Sequence, residues 1–171
     1  MGDIHPDGNP HFHLDPRNIL IVAGTIKEFL ISIDSENKAD YEKNYVEFSK
    51  IWKGKLAIWD ARMKDKDGLQ IIQFHDILAY FNKAYGLINI ATIEPLSGVP
   101  PSSKHTMELI HLIDGLQPRC ILHDVYHSTK TADFISSKTG IEVIMMPHDI
   151  GAMDDVDDLV SLYDYLTSAI K

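Results

Sequence analysis

The chain has 171 residues, 44% of them apolar, enough to bury the core of one compact domain and too many for a disordered tail. Sixteen basic residues against 25 acidic ones leave a formal charge of −9, which sets the surface against phosphate-driven nucleic-acid binding and mildly favours capture of cations. The single cysteine, Cys120, excludes an intramolecular disulfide and a thiolate zinc cluster, and its neighbours Ile121 and Leu122 mark it as a small core residue.

No stretch approaches the ~20 consecutive apolar residues of a membrane span. The opening Met1-Gly2-Asp3-Ile4-His5 lacks the basic and then apolar regions of a signal peptide, so as written the chain is expected to stay where it is made. It starts inside a loop, His5 to Pro16, that holds three His, two Asp and three Pro. No apolar periodicity accounts for those histidines, and such an abrupt start suggests a missing upstream part. His11 is the candidate metal ligand of this loop.

Asp15 reads as an N-cap and Pro16 as a first helical residue, followed by Ile19, Leu20, Val22, Ala23, Ile26, Phe29, Leu30 and Ile33 on one amphipathic face. The polar run Asp34-Ser35-Glu36-Asn37 interrupts that stripe. Tyr41, Tyr45, Phe48, Trp52, Leu56, Trp59 and Met63 then recur at spacings of four and three, predicting a second long helix whose aromatic seam is core. After the charged turn Lys64 to Gly68 the periodicity changes. Residues 69–74 read as a strand, 77–85 as a helix stopped by Gly86, and 87–93 as a strand. A Pro-rich loop, 94–101, leads to a helix capped by Ser102 or Ser103 and running to about Leu116. A short strand at 119–122, a helix at 129–139 closed by Gly140, a strand at 141–146 and an amphipathic helix at 155–170 complete the chain. The acidic run 154–158 matches no calcium loop and reads as charge bias in the first turn of that last helix.

Alternation of strands and helices predicts an α/β fold: long connecting helices followed by a small four-stranded parallel sheet with helices on both faces. The expected organisation is a ligand loop at 1–16, a long connecting helix or helix pair at 17–64, and an α/β lobe at 65–171. The chain shows no repeat, low-complexity segment or inter-domain linker.

Open α/β sheets place their ligands beyond the carboxyl ends of the strands. There the same dipeptide recurs: His75-Asp76, His123-Asp124 and His148-Asp149. Imidazole nitrogen and carboxylate oxygen suit Zn²⁺, and mixed sets of them also hold Mn²⁺. The competing reading makes each Asp a helix cap and each His a surface residue; it is weakest for His75, which follows an apolar strand and needs a polar partner if it is not a ligand. His105 and His111 are expected to face solvent, and His127 to be a polar loop residue. Phosphate loops, a Gly-x-Ser-x-Gly elbow and a His-Glu-x-x-His helix are absent from the sequence. A metal with three protein ligands and an open position keeps a metal-dependent hydrolase in play, and caps alone would leave a non-metal α/β interaction domain.

Gly8-Asn9-Pro10-His11-Phe12 followed by Leu14-Asp15-Pro16 resembles the metal-binding segment of the zinc- and manganese-type solute-binding proteins of bacterial ABC importers. The likeness continues in order through Trp59 to Met63, then Phe74-His75-Asp76 with Tyr80-Phe81 and Tyr85-Gly86-Leu87. It goes on through Ile93-Glu94-Pro95 with Gly98 to Ser102, and Pro147 to Gly151 with Leu162 to Tyr165.

This resemblance implies a binding protein rather than an enzyme. It would capture Zn²⁺, or Mn²⁺, in the periplasm or another extracytoplasmic space and deliver it to an ABC permease in the membrane. Carried over position by position, it makes His11, His75 and Asp149 the metal ligands, with His148 the runner-up to Asp149. Family members carry a further ligand in an amino-terminal lobe ahead of the connecting helix, and the resemblance implies that this sequence corresponds to the connecting helix plus the second lobe alone. The fourth position is therefore expected to be filled by water, His5, a neighbouring molecule or nothing. His13, His123 and His127 depart from the family pattern and have no assigned role. An apolar face on the helix where the first lobe would pack is expected to be exposed and to promote self-association.

Overall fold

The computed structural model describes residues 8–96 and 98–171, so His5 lies outside the described residues. Helix α1 (Pro16–Ile33) starts where the sequence places it. Asp15 is extended, its carboxylate accepts the Arg17 backbone N–H at 2.9 Å, and Pro16 occupies the first turn, where no N–H is needed. The polar interruption forms one tight turn, Ser35–Asn37, and α2 (Lys38–Met63) runs back against α1. The connecting segment is thus a helix pair.

Four parallel strands follow: β1 (Gln70–Gln73), β2 (Ile88–Thr92), β3 (Cys120–Asp124) and β4 (Glu142–Met146), in the order β2-β1-β3-β4. Between them lie α3 (Ala79–Tyr85), α4 (Ser103–Leu116) and α5 (Lys130–Thr139), and α6 (Leu159–Ala169) ends the lobe. The chain leaves β1 toward one edge to make β2, then crosses to the other side of β1 to make β3. The crevice between β1 and β3 is therefore the topological switch point of the sheet.

Strand residues alternate between two cores, as a pleated sheet covered on both faces demands. Ile71, Cys120, Leu122, Ile144 and Met146 pack with the connecting helix, α3 and α6, while Ile72, Ile121 and Phe74 pack with α4 and α5. Trp52, Trp59 and Tyr163 form the centre of the first core, with ring centroids 5.0–5.5 Å apart. Each buried indole N–H finds an acceptor: Trp52 donates to the Pro16 carbonyl at 2.7 Å and Trp59 to the Asp164 carboxylate at 2.9 Å. Gly86 closes α3 at φ 69°, the left-handed conformation that favours glycine, and a Cβ there would also push aside the Asp67 carboxylate.

Most boundaries shift by a residue or two from the sequence reading, and two of the differences matter here. Helix α6 begins at Leu159 because Asp158, extended, forms a capping box with Ser161, so the acidic run lies ahead of the helix instead of inside its first turn. Strand β3 extends through His123 and Asp124, both buried, where a strand ending at Leu122 was expected.

Apolar side chains on the solvent side of the helix pair stay uncovered: Ile21, Ile26, Phe29 and Ile33 on α1, and Val46, Ile51 and Ile58 on α2. Among the described residues no helix is long and apolar enough to cross a membrane.

Candidate metal centre

His11 opens a single tight turn, His11–Leu14, fastened to the lobe by its other members. Leu14 is fully buried in the first core, the Tyr163 hydroxyl donates to the His13 carbonyl, and the His13 ring nitrogen Nε2 lies 2.9 Å from the His148 carbonyl. His13 thus clips the loop to the end of β4. On His11 itself, Asn9 Oδ1 accepts the backbone N–H at 2.9 Å and stands 2.8 Å from Nδ1.

His75 follows β1 by two residues, and Glu94 follows β2 by two. The neighbouring strands bring them together, with His75 Nδ1 2.5 Å from Glu94 Oε2. Glu94 is buried, and its other oxygen accepts the Gly98 backbone N–H at 2.8 Å, which fixes the carboxylate. At the end of β3, Asp124 Oδ1 accepts the backbone N–H groups of Tyr126 and His127 and pairs with His127 Nδ1 at 2.8 Å. Burial works against the Asp124 charge, yet the bonds from His127 and Tyr126 hold its carboxyl below the ordinary carboxylate range. At the end of β4, His148 Nδ1 stands 3.2 Å from Asp149 Oδ2. Burial lowers the His148 pKa and favours the neutral imidazole, the form that binds a cation. Asp149 and Asp124 oppose that shift, and positive charge on His13 or His75 would reinforce it.

The residues named from the sequence meet in part. His11 faces His148, ring centroids 6.3 Å apart and planes at 89°. His75 faces His127, also at 6.3 Å, with planes at 25°. Asp149 lies behind His148, more than half exposed, and within 3.5 Å of the Tyr126 hydroxyl. Two imidazoles sharing one zinc at Zn–N distances of about 2.0–2.1 Å and a tetrahedral angle have ring centroids about 5 Å apart. Each pair is therefore open by about 1 Å relative to bidentate capture. Consistently, among the described residues no three His, Cys, Asp or Glu side chains are already drawn into a cage.

Other residues take structural parts. Asp76 is exposed and within 3.4 Å of the Gln73 side chain; it caps no helix, the Leu78 N–H being taken by Gln73 Oε1. His123 is fully buried, its Nδ1 on the Asp124 carbonyl and its ring 4.3 Å from that of Phe74. His105, expected in solvent, bonds the Thr92 carbonyl at 2.9 Å and ties α4 to the end of β2; His111 is exposed as expected. Glu94 and Asn9 are the partners that sequence reading passed over. For Glu94 the available signal was its position, two residues past a strand just as His75 is.

Residues 2–171 match the family described as zinc-uptake complex component A, periplasmic. The chain belongs to this ZnuA family. Its relatives include the high-affinity zinc uptake system protein ZnuA of Haemophilus influenzae, 28% identical over 159 residues that cover 90% of this chain and 44% of the relative. The protein of that description from Brucella abortus is 26% identical over 135 residues, covering 77% of this chain and 40% of the relative. The chain thus spans less than half the length of either curated ZnuA. A crystal structure of ZnuA superposes with a TM-score of 0.78 at 23% identity, over 96% of this chain and 61% of that one, and bears out the α/β fold. The ZnuA family is one of solute-binding components, which is not an enzyme class.

Proposed function

We propose that this chain is the metal-capturing lobe of a zinc-uptake binding protein, in which His11 and His75 are ligands and the end of β4 supplies a third. His148 is favoured over Asp149 for that third position because it faces His11, while Asp149 stands at its Nδ1 as an orienting carboxylate.

The observation that carries this reading is shared by His11 and His75. Nδ1 of each is hydrogen-bonded to an oxygen, Asn9 Oδ1 for His11 and Glu94 Oε2 for His75, while at His148 the Asp149 carboxylate lies 3.2 Å from Nδ1 as an ion-pair contact. A hydrogen bond at one ring nitrogen fixes the tautomer and turns the other toward an ion, as in carboxylate–histidine–zinc groupings. Imidazole-rich ligation favours Zn²⁺, with Mn²⁺ the alternative cargo. Capture and delivery to a membrane ABC permease from the periplasmic side, with no turnover of substrate, is the role that fits a solute-binding family. The exposed apolar face of α1 is proposed to seat a second copy of the chain; sedimentation velocity showing a monomer at all concentrations would refute that part.

Calorimetric titration with Zn²⁺ and with Mn²⁺ tests the core of the reading. Binding that weakens at least about tenfold in His11→Ala, His75→Ala and His148→Ala, and less in Asp149→Ala, is expected. No binding of either ion, or binding indifferent to all these changes, rejects it. Metal-dependent hydrolysis of generic ester or phosphate substrates would instead favour a hydrolase.

A further inference from the structure

His127 sits on the same crevice as His75, at the switch point between β1 and β3, and nothing in the capture reading uses it. Its position is fixed from three directions. Asp124 Oδ1 pairs with its Nδ1 at 2.8 Å and accepts its backbone N–H at 3.1 Å. Phe74 packs against its ring at 5.1 Å and also against that of His123 at 4.3 Å. His75 lies 6.3 Å away with its ring nearly parallel.

Asp124 is almost fully buried, and among the described residues its second oxygen has no hydrogen-bond partner. An ionised carboxylate only accepts, so Nδ1 of His127 is the donor and the neutral ring carries its lone pair on Nε2. Among the described residues Nε2 of His127 makes no hydrogen bond, and the side chain is half exposed, as an incoming ion requires. The arrangement repeats that of His75 on Glu94: a strand-end carboxylate, itself fixed by backbone N–H groups, holding Nδ1 of an imidazole on the rim of one crevice. The neighbouring Tyr126 ring packs edge-on against His148 at 4.9 Å, which links this loop to the other ligand pair.

We propose that His127 is a further ligand of the captured cation, supplied by the loop between β3 and α5, and that Asp124 positions it. His75 and His127 then close on the ion from one side of the crevice, as His11 and His148 close from the other, making an all-imidazole set within this chain. The inference rests on the metal-capture reading, which it extends by one ligand.

The test uses the full chain, Zn²⁺ alone for affinity and Co²⁺ as a spectroscopic probe of coordination. His127→Ala and His127→Phe are compared, the second keeping a ring against Phe74 while removing both nitrogens. Both variants are expected to lose at least about tenfold in Zn²⁺ affinity and to change the Co²⁺ d–d absorption from that of the unaltered protein. In the unaltered protein, nitrogen NMR should show His127 Nε2 moving to a metal-bound shift on titration with Zn²⁺, a readout that needs no variant to fold. Zn²⁺ affinity and Co²⁺ spectra unchanged in both variants, or an Nε2 resonance that does not move, overturns the proposal; with affinity still lost in His75→Ala, the capture reading survives. Absence of Zn²⁺ binding by the unaltered chain overturns both.

Discussion

Truncating Leu14 to alanine probes how the ligand loop is held. The side chain is fully buried in the first core, on the turn that presents His11. Removing a buried leucine side chain costs about 2–5 kcal/mol, the lost transfer energy plus the cavity left behind. The backbone around Leu14 is pinned by the Tyr163 hydroxyl on the His13 carbonyl and by the Trp52 indole on the Pro16 carbonyl, so the turn cannot sink far into the cavity. A cost of about 3 kcal/mol, in the middle of the range, is expected. For a chain of this size that lowers the thermal midpoint by about 6–12 °C. Circular dichroism gives the midpoint, and urea unfolding followed by tryptophan fluorescence gives the free energy, since Trp52 and Trp59 lie in the same cluster. Phe12→Ala, two residues away and 44% exposed, is the control and should cost under about 0.5 kcal/mol. Zn²⁺ affinity should fall with Leu14→Ala, because His11 loses its mounting. A midpoint lowered no more than by the Phe12 control would refute the account of the loop as part of the core.

Asp164 joins α6 to the connecting helix through the Trp59 indole and Lys55, at 2.9 and 2.7 Å. Asp164→Ala strands a buried indole N–H and should cost about 1–3 kcal/mol, whereas Asp164→Asn keeps an acceptor and should cost less; equal losses in urea melts would show that charge, not the indole bond, matters. Burial tends to raise the Asp164 pKa, but the bonds from Lys55 and Trp59 and the charges of Lys55 and Arg62 outweigh it and leave it lowered. Its stabilising effect is therefore present above the unfolded-state value of 3.8 and disappears as pH falls through the lower folded value. Asp164→Asn should flatten that acid limb of the stability curve, and an unchanged limb would contradict the assignment. Cys120 is fully buried in β3, and burial pushes its thiol up to about 12. Alkylation of the native protein at pH 8 should therefore proceed only as fast as the fold opens, and labelling faster than unfolding monitored by fluorescence would count against the core position of β3.

Much of this architecture is legible because local chemistry and fold agree. Asp15-Pro16 marks a helix start, Gly86 a helix end, and the apolar runs in β1 and β3 a sheet covered on both faces. The histidines were legible for the same reason, since strand ends in such sheets converge on one rim. What the sequence does not reveal is which atom each ring spends on the protein. The Glu94 bond to His75 depends on the pairing of β1 with β2, and the His13 bond to the His148 carbonyl joins residues 135 positions apart. The choice between His148 and Asp149 turns on the direction of adjacent side chains after β4, which no periodicity encodes. His105 departs from the solvent-facing expectation for a related reason: its partner, the Thr92 carbonyl, lies at the end of a strand on another element.

The clip from His13 to the end of β4 also orders events during synthesis. Contacts so distant in sequence form late, after the loop-closure entropy of the intervening chain has been overcome. A ribosome that has released the chain only through α5 has delivered His11, His75 and His127 but not the strand whose end holds the first of them in place. If the chain captures a cation as proposed, that competence is conferred by the residues after α5, about the last fifth of the chain, and an unfinished protein presents scattered imidazoles rather than a binding crevice.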